Sequence, residues 1–397
     1  MTLLFDPAAF EPLTETPWNE PRVRDAIQAI VDAAEEAFDD AALWPAGEWE
    51  SWQTPLPLKN LYVGAGGVLW ALHALRARGR ADGVLDLSHA ISRTHERWRR
   101  EPDLMRGIQL PSAAEAGLLT GESGILMTAW LVEPTAELAD RLHERIRENA
   151  DNEAIEIMWG APGTMLAAAE LHRRTGESRW ADAWRESAGK VLAARTGEGL
   201  WESRLYGEVR RSLTPPHGVA GNVHALLDGG NLLGAEVRRM LQREANEVLR
   251  RTAVVESGLA TWPTGAADNL VGEDGEIRLQ WCAGAPGIVI AAGAYLDEDL
   301  LLAGAELVSR AGAHGEEKGA GICHGTAGNG YALLRTFERT GDERWLDRAR
   351  RFATHALEQV ARREGRFSLW TGDLGVALFA SDCLDARARY PILETWG

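Results

Sequence analysis

A short glycine signature that recurs seven times constrains the fold of this chain more than any other feature. The signature is a glycine, two further residues and a second glycine, and an apolar run follows it. The first glycines of the seven copies are Gly64, Gly121, Gly160, Gly218, Gly284, Gly325 and Gly372. Repetition of this kind indicates one supersecondary unit stacked many times rather than a mosaic of unrelated domains.

Two kinds of helix are predicted to alternate along the chain. Each signature leads into a segment that is apolar on nearly every face, such as 288–292, and such a segment is typical of a buried helix. Between signatures lie amphipathic segments rich in arginine and glutamate, such as 22–38, whose apolar residues fall on one helical face. We therefore predict seven inner and seven outer helices, with a β-hairpin within residues 200–209.

The ends of the repeat array decide its overall shape. An open stack of helix pairs needs polar capping repeats, but the first and last inner segments, 67–75 and 375–384, are as apolar as the middle ones. We therefore predict an all-α fold in which the stack closes into an α/α toroid. Residues 1–397 would form one domain, with 1–20 as an extended arm. Closure brings all seven signatures to one end, where glycine permits positive φ and close backbone approach.

Composition narrows the classes of function. The chain of 397 residues has 42 Lys+Arg against 59 Asp+Glu, a net charge of −17, which excludes a polybasic nucleic-acid binder. No apolar run approaches the roughly 20 residues that cross a bilayer, and residues 1–10 lack the basic start of a secretory signal. The three cysteines are too few for a disulfide framework and favour a reducing compartment. We expect a cytoplasmic protein without a transmembrane segment.

Cysteine and histidine precede two neighbouring signatures. Cys282 lies two residues before Gly284, and the pair Cys323-His324 directly precedes Gly325. Two thiolates and an imidazole suit Zn²⁺, and three protein ligands leave a fourth position open for a substrate. The alternative is that both cysteines are small buried apolar residues and that His324 is structural. Spacing alone leaves both interpretations open.

The third and fourth signatures add candidates for acid–base chemistry. His217 directly precedes Gly218 at the start of an inner helix, where it could act as a base and then as an acid, or cap the helix. Glu156 lies four residues before Gly160 in an otherwise apolar stretch, an unfavourable place for a lone carboxylate. Either proton transfer or a structural salt bridge would account for Glu156.

These motifs resemble the LanC-like family, which comprises the lanthionine synthetase component C proteins and their eukaryotic relatives. The resemblance covers nearly the whole chain, and its most specific parts are Trp281-Cys282 and Cys323-His324-Gly325. It implies an α/α toroid that holds one zinc ion through Cys282, Cys323 and His324. It also implies an enzyme that adds a thiol to dehydroalanine or dehydrobutyrine in a peptide, forming a thioether by Michael addition, with His217 in proton transfer.

Two residues depart from the pattern of the bacterial lantibiotic cyclases. Those cyclases have aspartate where this chain has Glu156, whereas eukaryotic-type members have glutamate. Lys318, five residues before Cys323, also resembles the eukaryotic type, in which that lysine lies beside bound glutathione. The resemblance therefore favours a dehydrated peptide and glutathione as partners, and helix N-termini around the site would favour an anionic thiol. Alternatively, Lys318 is a solvated residue of the polar loop 315–319.

Functions of other classes remain open. A sugar epimerase or hydrolase on an α/α toroid would use two carboxylates or a histidine pair without a metal. A protein prenyltransferase subunit would hold zinc through aspartate, cysteine and histidine and would need a partner chain. A zinc-stabilised module could bind a peptide or glutathione without catalysis. Metal content separates the first class from the rest, and an assay with a thiol and a dehydrated peptide separates the others.

Overall fold

The computed structural model describes residues 4–363 and 365–397, in which the chain forms fourteen α-helices. The outer helices are α1 (Glu20–Glu36), α3 (Leu87–Arg100), α5 (Ala136–Asn149), α7 (Ser178–Ala193), α9 (Ala235–Thr252), α11 (Glu298–Ala311) and α13 (Glu343–Ala361). The inner helices are α2 (Ala65–Ala77), α4 (Glu122–Val132), α6 (Ala161–Thr175), α8 (Val219–Asp228), α10 (Ala285–Ala292), α12 (Thr326–Thr340) and α14 (Asp373–Asp385). The predicted alternation of seven inner and seven outer helices is confirmed.

The outer helices bury one stripe and expose the rest. In α1 the buried residues are Val23, Ile27, Ile30, Val31 and Ala34, all on one face. The helix begins where the Asn19 side chain accepts a hydrogen bond of 3.0 Å from the Arg22 amide, which satisfies one of the free amides of the first turn. The charges of the outer helices therefore form a solvated face.

The inner helices are buried almost throughout, and their ring is closed. Every residue of α10 is buried, from Ala285 to Ala292. The last inner helix, α14, packs against both α2 and α1, so the end of the chain meets its beginning. Because each inner helix has neighbours on all sides, no polar capping repeat is needed, and the predicted closure is confirmed.

The two glycines of each signature have different structural roles. The first is the N-cap of an inner helix and offers no side-chain cap. A Cβ at the second would lie within 2.3 Å of the carbonyl oxygen six residues earlier, as Gly221 shows with Pro215 at 1.8 Å. Close backbone approach is therefore the reason for the motif. Positive φ, which glycine also permits, occurs among these glycines only at Gly284, where φ is +100°.

The loop before each signature folds back on the helix that follows it. In α8 the amides of Val219 and Ala220 donate to the carbonyls of Ser212 and Leu213, at 3.0 and 3.1 Å. In α12 the amide of Thr326 donates to a loop carbonyl in the same way. These first-turn amides are therefore satisfied within the chain, so helix N-termini supply less attraction for an anion than the sequence suggested.

Besides the helices, the described residues form short pairs of antiparallel strands. They are β1 (Phe10–Glu11) with β6 (Ala313–His314), β2 (Ser203–Leu205) with β3 (Glu208–Arg210), and β4 (Val254–Glu256) with β5 (Leu259–Thr261). The hairpin predicted within 200–209 is β2–β3, which turns through Tyr206 and Gly207, both at positive φ. Through β1, the N-terminal residues are attached to the loop that precedes the sixth signature. In the described ranges, no helix is both long and apolar enough to cross a bilayer.

Candidate functional site

A cavity of about 580 Å³ opens at the end of the toroid where the signatures converge. Six of the seven signatures contribute to its wall through the residues directly before them. We call the residues directly before each signature its turn. The six turns contribute, in chain order, the lining residues Tyr62, Thr120, Trp159, His217, Cys282 and Cys323. The predicted convergence thus gathers side chains that are far apart in the sequence around one space.

Backbone hydrogen bonds between neighbouring turns fix the wall of the cavity. In each bond the amide of the first residue donates to the carbonyl of the second. The bonds are Tyr62 to Leu119 at 2.9 Å, Leu119 to Met158 at 3.2 Å, Ile157 to Pro216 at 3.1 Å and Cys323 to Trp370 at 2.8 Å. Because these bonds join main chains, they set the backbone positions of the turns that they connect.

The structure brings together Cys282, Cys323 and His324. Their candidate ligand atoms lie within 4.8 Å of one another, and the Cys323 Sγ is 3.8 Å from the His324 Nε2. Cys282 lies in a tight turn closed by paired backbone hydrogen bonds between Gln280 and Ala283, at 2.9 and 3.1 Å. The turn leads directly into Gly284, whose positive φ directs the chain into α10.

This donor set fits a zinc ion. In a tetrahedral zinc site two sulfurs are about 3.8 Å apart, and a sulfur and a nitrogen are about 3.6 Å apart. The distance between the Cys323 Sγ and the His324 Nε2 is close to the tetrahedral value, and no pair of the three atoms would have to approach by more than about 1 Å. Zinc binds thiolate and imidazole ligands, whereas calcium and magnesium bind oxygen ligands. A set of three protein ligands is typical of a catalytic zinc site, since a structural site has four.

The two thiols ionise as a pair. A hydrogen bond from Cys323, together with the charge and hydrogen bonds of His324 and Gln280, holds the pKa of Cys282 well below that of a free thiol. Burial raises the pKa of Cys323 well above its usual range, and the neighbouring Cys282 raises it further. The pair thus carries one negative charge readily and a second one only with a cation beside it.

Each sulfur also receives a hydrogen bond from a residue outside the ligand set. The Tyr62 hydroxyl donates to the Cys323 Sγ at 3.0 Å, and the Gln280 Nε2 donates to the Cys282 Sγ at 2.9 Å. Burial, and then the charges of the two cysteines, raise the pKa of Tyr62 well above its usual range, so its hydroxyl stays a donor. Sequence analysis missed both residues, although each stands two positions before a signature glycine or a ligand.

Glu156 and His217 are predicted separately by the sequence, and the structure joins them. The His217 Nδ1 is 2.7 Å from the Glu156 Oε2. Glu156 is fully buried and also accepts hydrogen bonds from the amides of Met158 and Trp159, at 3.1 and 2.6 Å. The His217 side chain is 33% exposed and lines the cavity, so its other nitrogen is accessible to a ligand.

Lys318 lies close to Cys323 and His324 in the sequence but does not line the cavity. Its Nζ is 3.8 Å from the Glu276 Oε2 and 3.7 Å from the Glu317 Oε1, both on exposed loops. Lys318 is 31% exposed, and a ligand carboxylate would have to displace its two acidic partners.

One flank of the cavity comes from a loop that sequence analysis did not single out. Trp49 and Trp52 line the cavity although they are 60% and 57% exposed, and the Trp49 ring meets His324 edge-on at 5.1 Å between ring centres. Glu50 fixes this loop to the seventh turn by accepting hydrogen bonds from Ser368 and Thr371. The loop therefore covers His324 from one side.

The family model described as "Lanthionine synthetase C-like protein" matches residues 19–394. The glutathione S-transferase LANCL1 of Danio rerio is 30% identical over 193 residues, which are 45% of this chain and 44% of that protein. The matched region thus spans less than half of that relative.

A solved structure of nisin cyclase shares the fold, with a TM-score of 0.62 at 15% sequence identity. The match covers 94% of this chain and 98% of that one. Both relatives are named as enzymes, and the second has the α/α toroid fold predicted for this chain. Since the family model spans nearly all of the chain, this protein belongs to the lanthionine synthetase C-like family.

Proposed function

We propose that this protein joins a thiol to a dehydroalanine or dehydrobutyrine residue of a peptide in a zinc-dependent reaction that forms a thioether. One observation carries the proposal: a single cavity is lined by the set Cys282, Cys323 and His324 and by the pair His217–Glu156. The first suits activation of a thiol and the second suits proton transfer. The family, and the name of the relative from Danio rerio, support the same class of chemistry.

Cys282, Cys323 and His324 would hold the ion in this proposal. When bound, zinc would lower the pKa of a substrate thiol from about 8.5, so that a thiolate is available at neutral pH. The cavity wall includes Trp159 and Trp281, which exclude water and lower the local dielectric constant around the reacting groups. Charge that develops during the addition therefore interacts more strongly with the neighbouring side chains.

His217 would move the proton. The thiolate sulfur bonds to the β-carbon of the dehydrated residue, the carbon–carbon π bond breaks, and the resulting enolate needs one proton at its α-carbon. Because the Nδ1 of His217 is held by Glu156, its Nε2 is the atom that takes the thiol proton and then donates it to carbon. Glu156 is a positioning residue that keeps the proton of the neutral ring on Nδ1.

The thiol can come from a cysteine of the same peptide or from glutathione. We favour glutathione because the relative from Danio rerio is named a glutathione S-transferase, and Lys318 is the candidate anchor. Its ammonium would bind a glutathione carboxylate as a point charge, in place of its present partners Glu276 and Glu317. A cytoplasmic location fits free glutathione and three unpaired cysteines.

The test uses zinc-loaded protein, a peptide with one dehydroalanine, and glutathione, with mass spectrometry to detect the adduct. A second peptide carries its own cysteine and tests cyclisation. We expect His217→Ala to keep its zinc and to slow the addition by about 10²–10⁴-fold, and Cys282→Ala to lose both zinc and activity. Cys383→Ala alters a buried cysteine on α14 away from the cavity and is the matched control. Zinc-loaded protein that modifies neither peptide would contradict the proposal.

A further inference from the structure

Both cysteine ligands have a hydrogen-bond donor that the proposed chemistry does not use. The Tyr62 hydroxyl donates to the Cys323 Sγ at 3.0 Å, and the Gln280 Nε2 donates to the Cys282 Sγ at 2.9 Å. The two donors come from different turns, and Tyr62 and Cys323 are 261 residues apart in the sequence. Because each sulfur has its own donor, we expect each hydrogen bond to affect the reactivity of the sulfur that accepts it.

The proposed function, on which this inference rests, creates a problem of selectivity. Three thiol groups would share the cavity with an electrophilic alkene: that of the substrate and those of Cys282 and Cys323. Attack by a protein sulfur would form a bond to the β-carbon, break the π bond and place a proton on the α-carbon. The product would be a peptide joined to the protein by a stable thioether, and the site would lose a ligand.

We propose that Tyr62 and Gln280 keep Cys282 and Cys323 as ligands by making their sulfurs poor nucleophiles. A hydrogen bond to a thiolate binds the lone pair that would attack carbon, and the bond must break before the sulfur can react. Hydrogen bonds to charged groups are strong enough to slow such attack by at least about tenfold. A substrate sulfur without such a donor is then the most reactive thiolate in the cavity.

The donors are held in place independently of the sulfurs. The Tyr62 amide donates to Leu119, its carbonyl accepts from the Trp370 amide at 3.4 Å, and its ring packs against that indole. Gln280 is 5% exposed, and its amide is bonded to the Ala283 carbonyl at 2.9 Å. Because both side chains are fixed by backbone contacts, their hydrogen bonds do not depend on a substrate.

The experiment measures alkylation of each cysteine separately. Zinc-loaded protein reacts with iodoacetamide, and then with a dehydroalanine peptide, and mass spectrometry gives the modification rate at Cys282, at Cys323 and at the remote reference Cys383. We expect Tyr62→Phe to raise the rate at Cys323 by at least about tenfold and to leave Cys282 nearly unchanged. Gln280→Leu is expected to have the opposite selectivity.

A second readout uses cobalt in place of zinc. Loss of either hydrogen bond should shift the sulfur-to-cobalt charge-transfer band, which a purely structural effect on folding would not do. The matched control is Tyr206→Phe, since Tyr206 lines the same cavity but its hydroxyl accepts a hydrogen bond from the Trp159 indole at 3.1 Å. We expect this variant to keep the parent band and the parent alkylation rates.

The possible results separate the two proposals. Equal alkylation rates in the parent and both variants, or equal increases at both cysteines, overturn the inference even when thioether formation is intact. The crossed pattern without any thioether formation supports the inference and contradicts the proposed function. A protein that binds neither zinc nor cobalt overturns both.

Discussion

Replacement of Glu156 by glutamine tests the proton-transfer half of the site with almost no change in side-chain volume. Glu156 is fully buried, its Oε1 accepts from the Trp159 amide, and its Oε2 accepts from both the Met158 amide and the His217 Nδ1. Glutamine has only one acceptor oxygen. If that oxygen stays with the Trp159 amide, the new NH2 group faces the Met158 amide and the His217 Nδ1, which are also donors. The NH2 group can then donate to His217 only if the ring proton moves from Nδ1 to Nε2.

The size of the effect follows from the bond that is lost. A hydrogen bond to a charged group contributes about 1.5–3 kcal/mol, and the bond between Glu156 and His217 exists in full only when the carboxylate is present. We therefore expect Glu156→Gln to slow thioether formation by about 10- to 150-fold. The Met158 amide also loses its acceptor, so the thermal unfolding midpoint should fall.

The assay is the single-turnover rate of addition, measured across pH, with zinc content and circular dichroism determined on the same samples. Glu122→Gln is the matched control, because Glu122 is 1% exposed and is 2.8 Å from the Nε2 of His95 but does not line the cavity. It should lose stability while the rate per folded molecule stays at the parent value. A Glu156→Gln variant that reacts within twofold of the parent would refute the reasoning.

Three further predictions concern the metal, the thiol donor and acid stability. Cys282→Ala and Cys323→Ala should each lose the zinc, about one ion per chain, by elemental analysis. Lys318→Ala should raise KM for glutathione but not for a thiol without a carboxylate, and an equal rise for both would contradict the anchor. Burial opposes ionisation of Glu122, but hydrogen bonds from His95 and Arg145 hold its pKa at about 2. This contributes at most about 3 kcal/mol of stability, which is present above pH 4.5 and lost as the pH falls towards 2. Denaturant titrations of Glu122→Gln should lack that loss.

The fold could be predicted because its main constraint is local. The second glycine of each signature is required by a carbonyl oxygen only six residues earlier, so the requirement is visible in any one copy. The absence of polar caps then indicated closure. Of the two properties that glycine permits, close backbone approach applies to every copy and positive φ only to Gly284, so steric crowding by the preceding loop is the main reason that a side chain is excluded.

The candidate site could be predicted only in part. Cys282, Cys323 and His324 precede the glycines of two neighbouring signatures, so the predicted stacking of consecutive repeats is enough to bring them together. The pairing of His217 with Glu156 depends on how two turns are oriented, and the spacing of the sequence does not contain that information. Tyr62 was missed for the same reason, since its partner lies on the far side of the point where the ring closes.

Removal of the metal should abolish activity and leave the fold intact, because the ring does not depend on the ion. Backbone hydrogen bonds link the turns, and the sulfurs of Cys282 and Cys323 keep Gln280 and Tyr62 as partners without a cation. Small zinc domains unfold without metal because the ion holds their core together, whereas a chain of this size buries its own core. After chelation we expect the far-ultraviolet circular dichroism spectrum to remain that of the parent at 25 °C, with the unfolding midpoint lowered only by the lost binding energy. Loss of the helical spectrum on chelation would show that the ion holds the turns together, and the backbone hydrogen bonds between turns would then be insufficient to position the site.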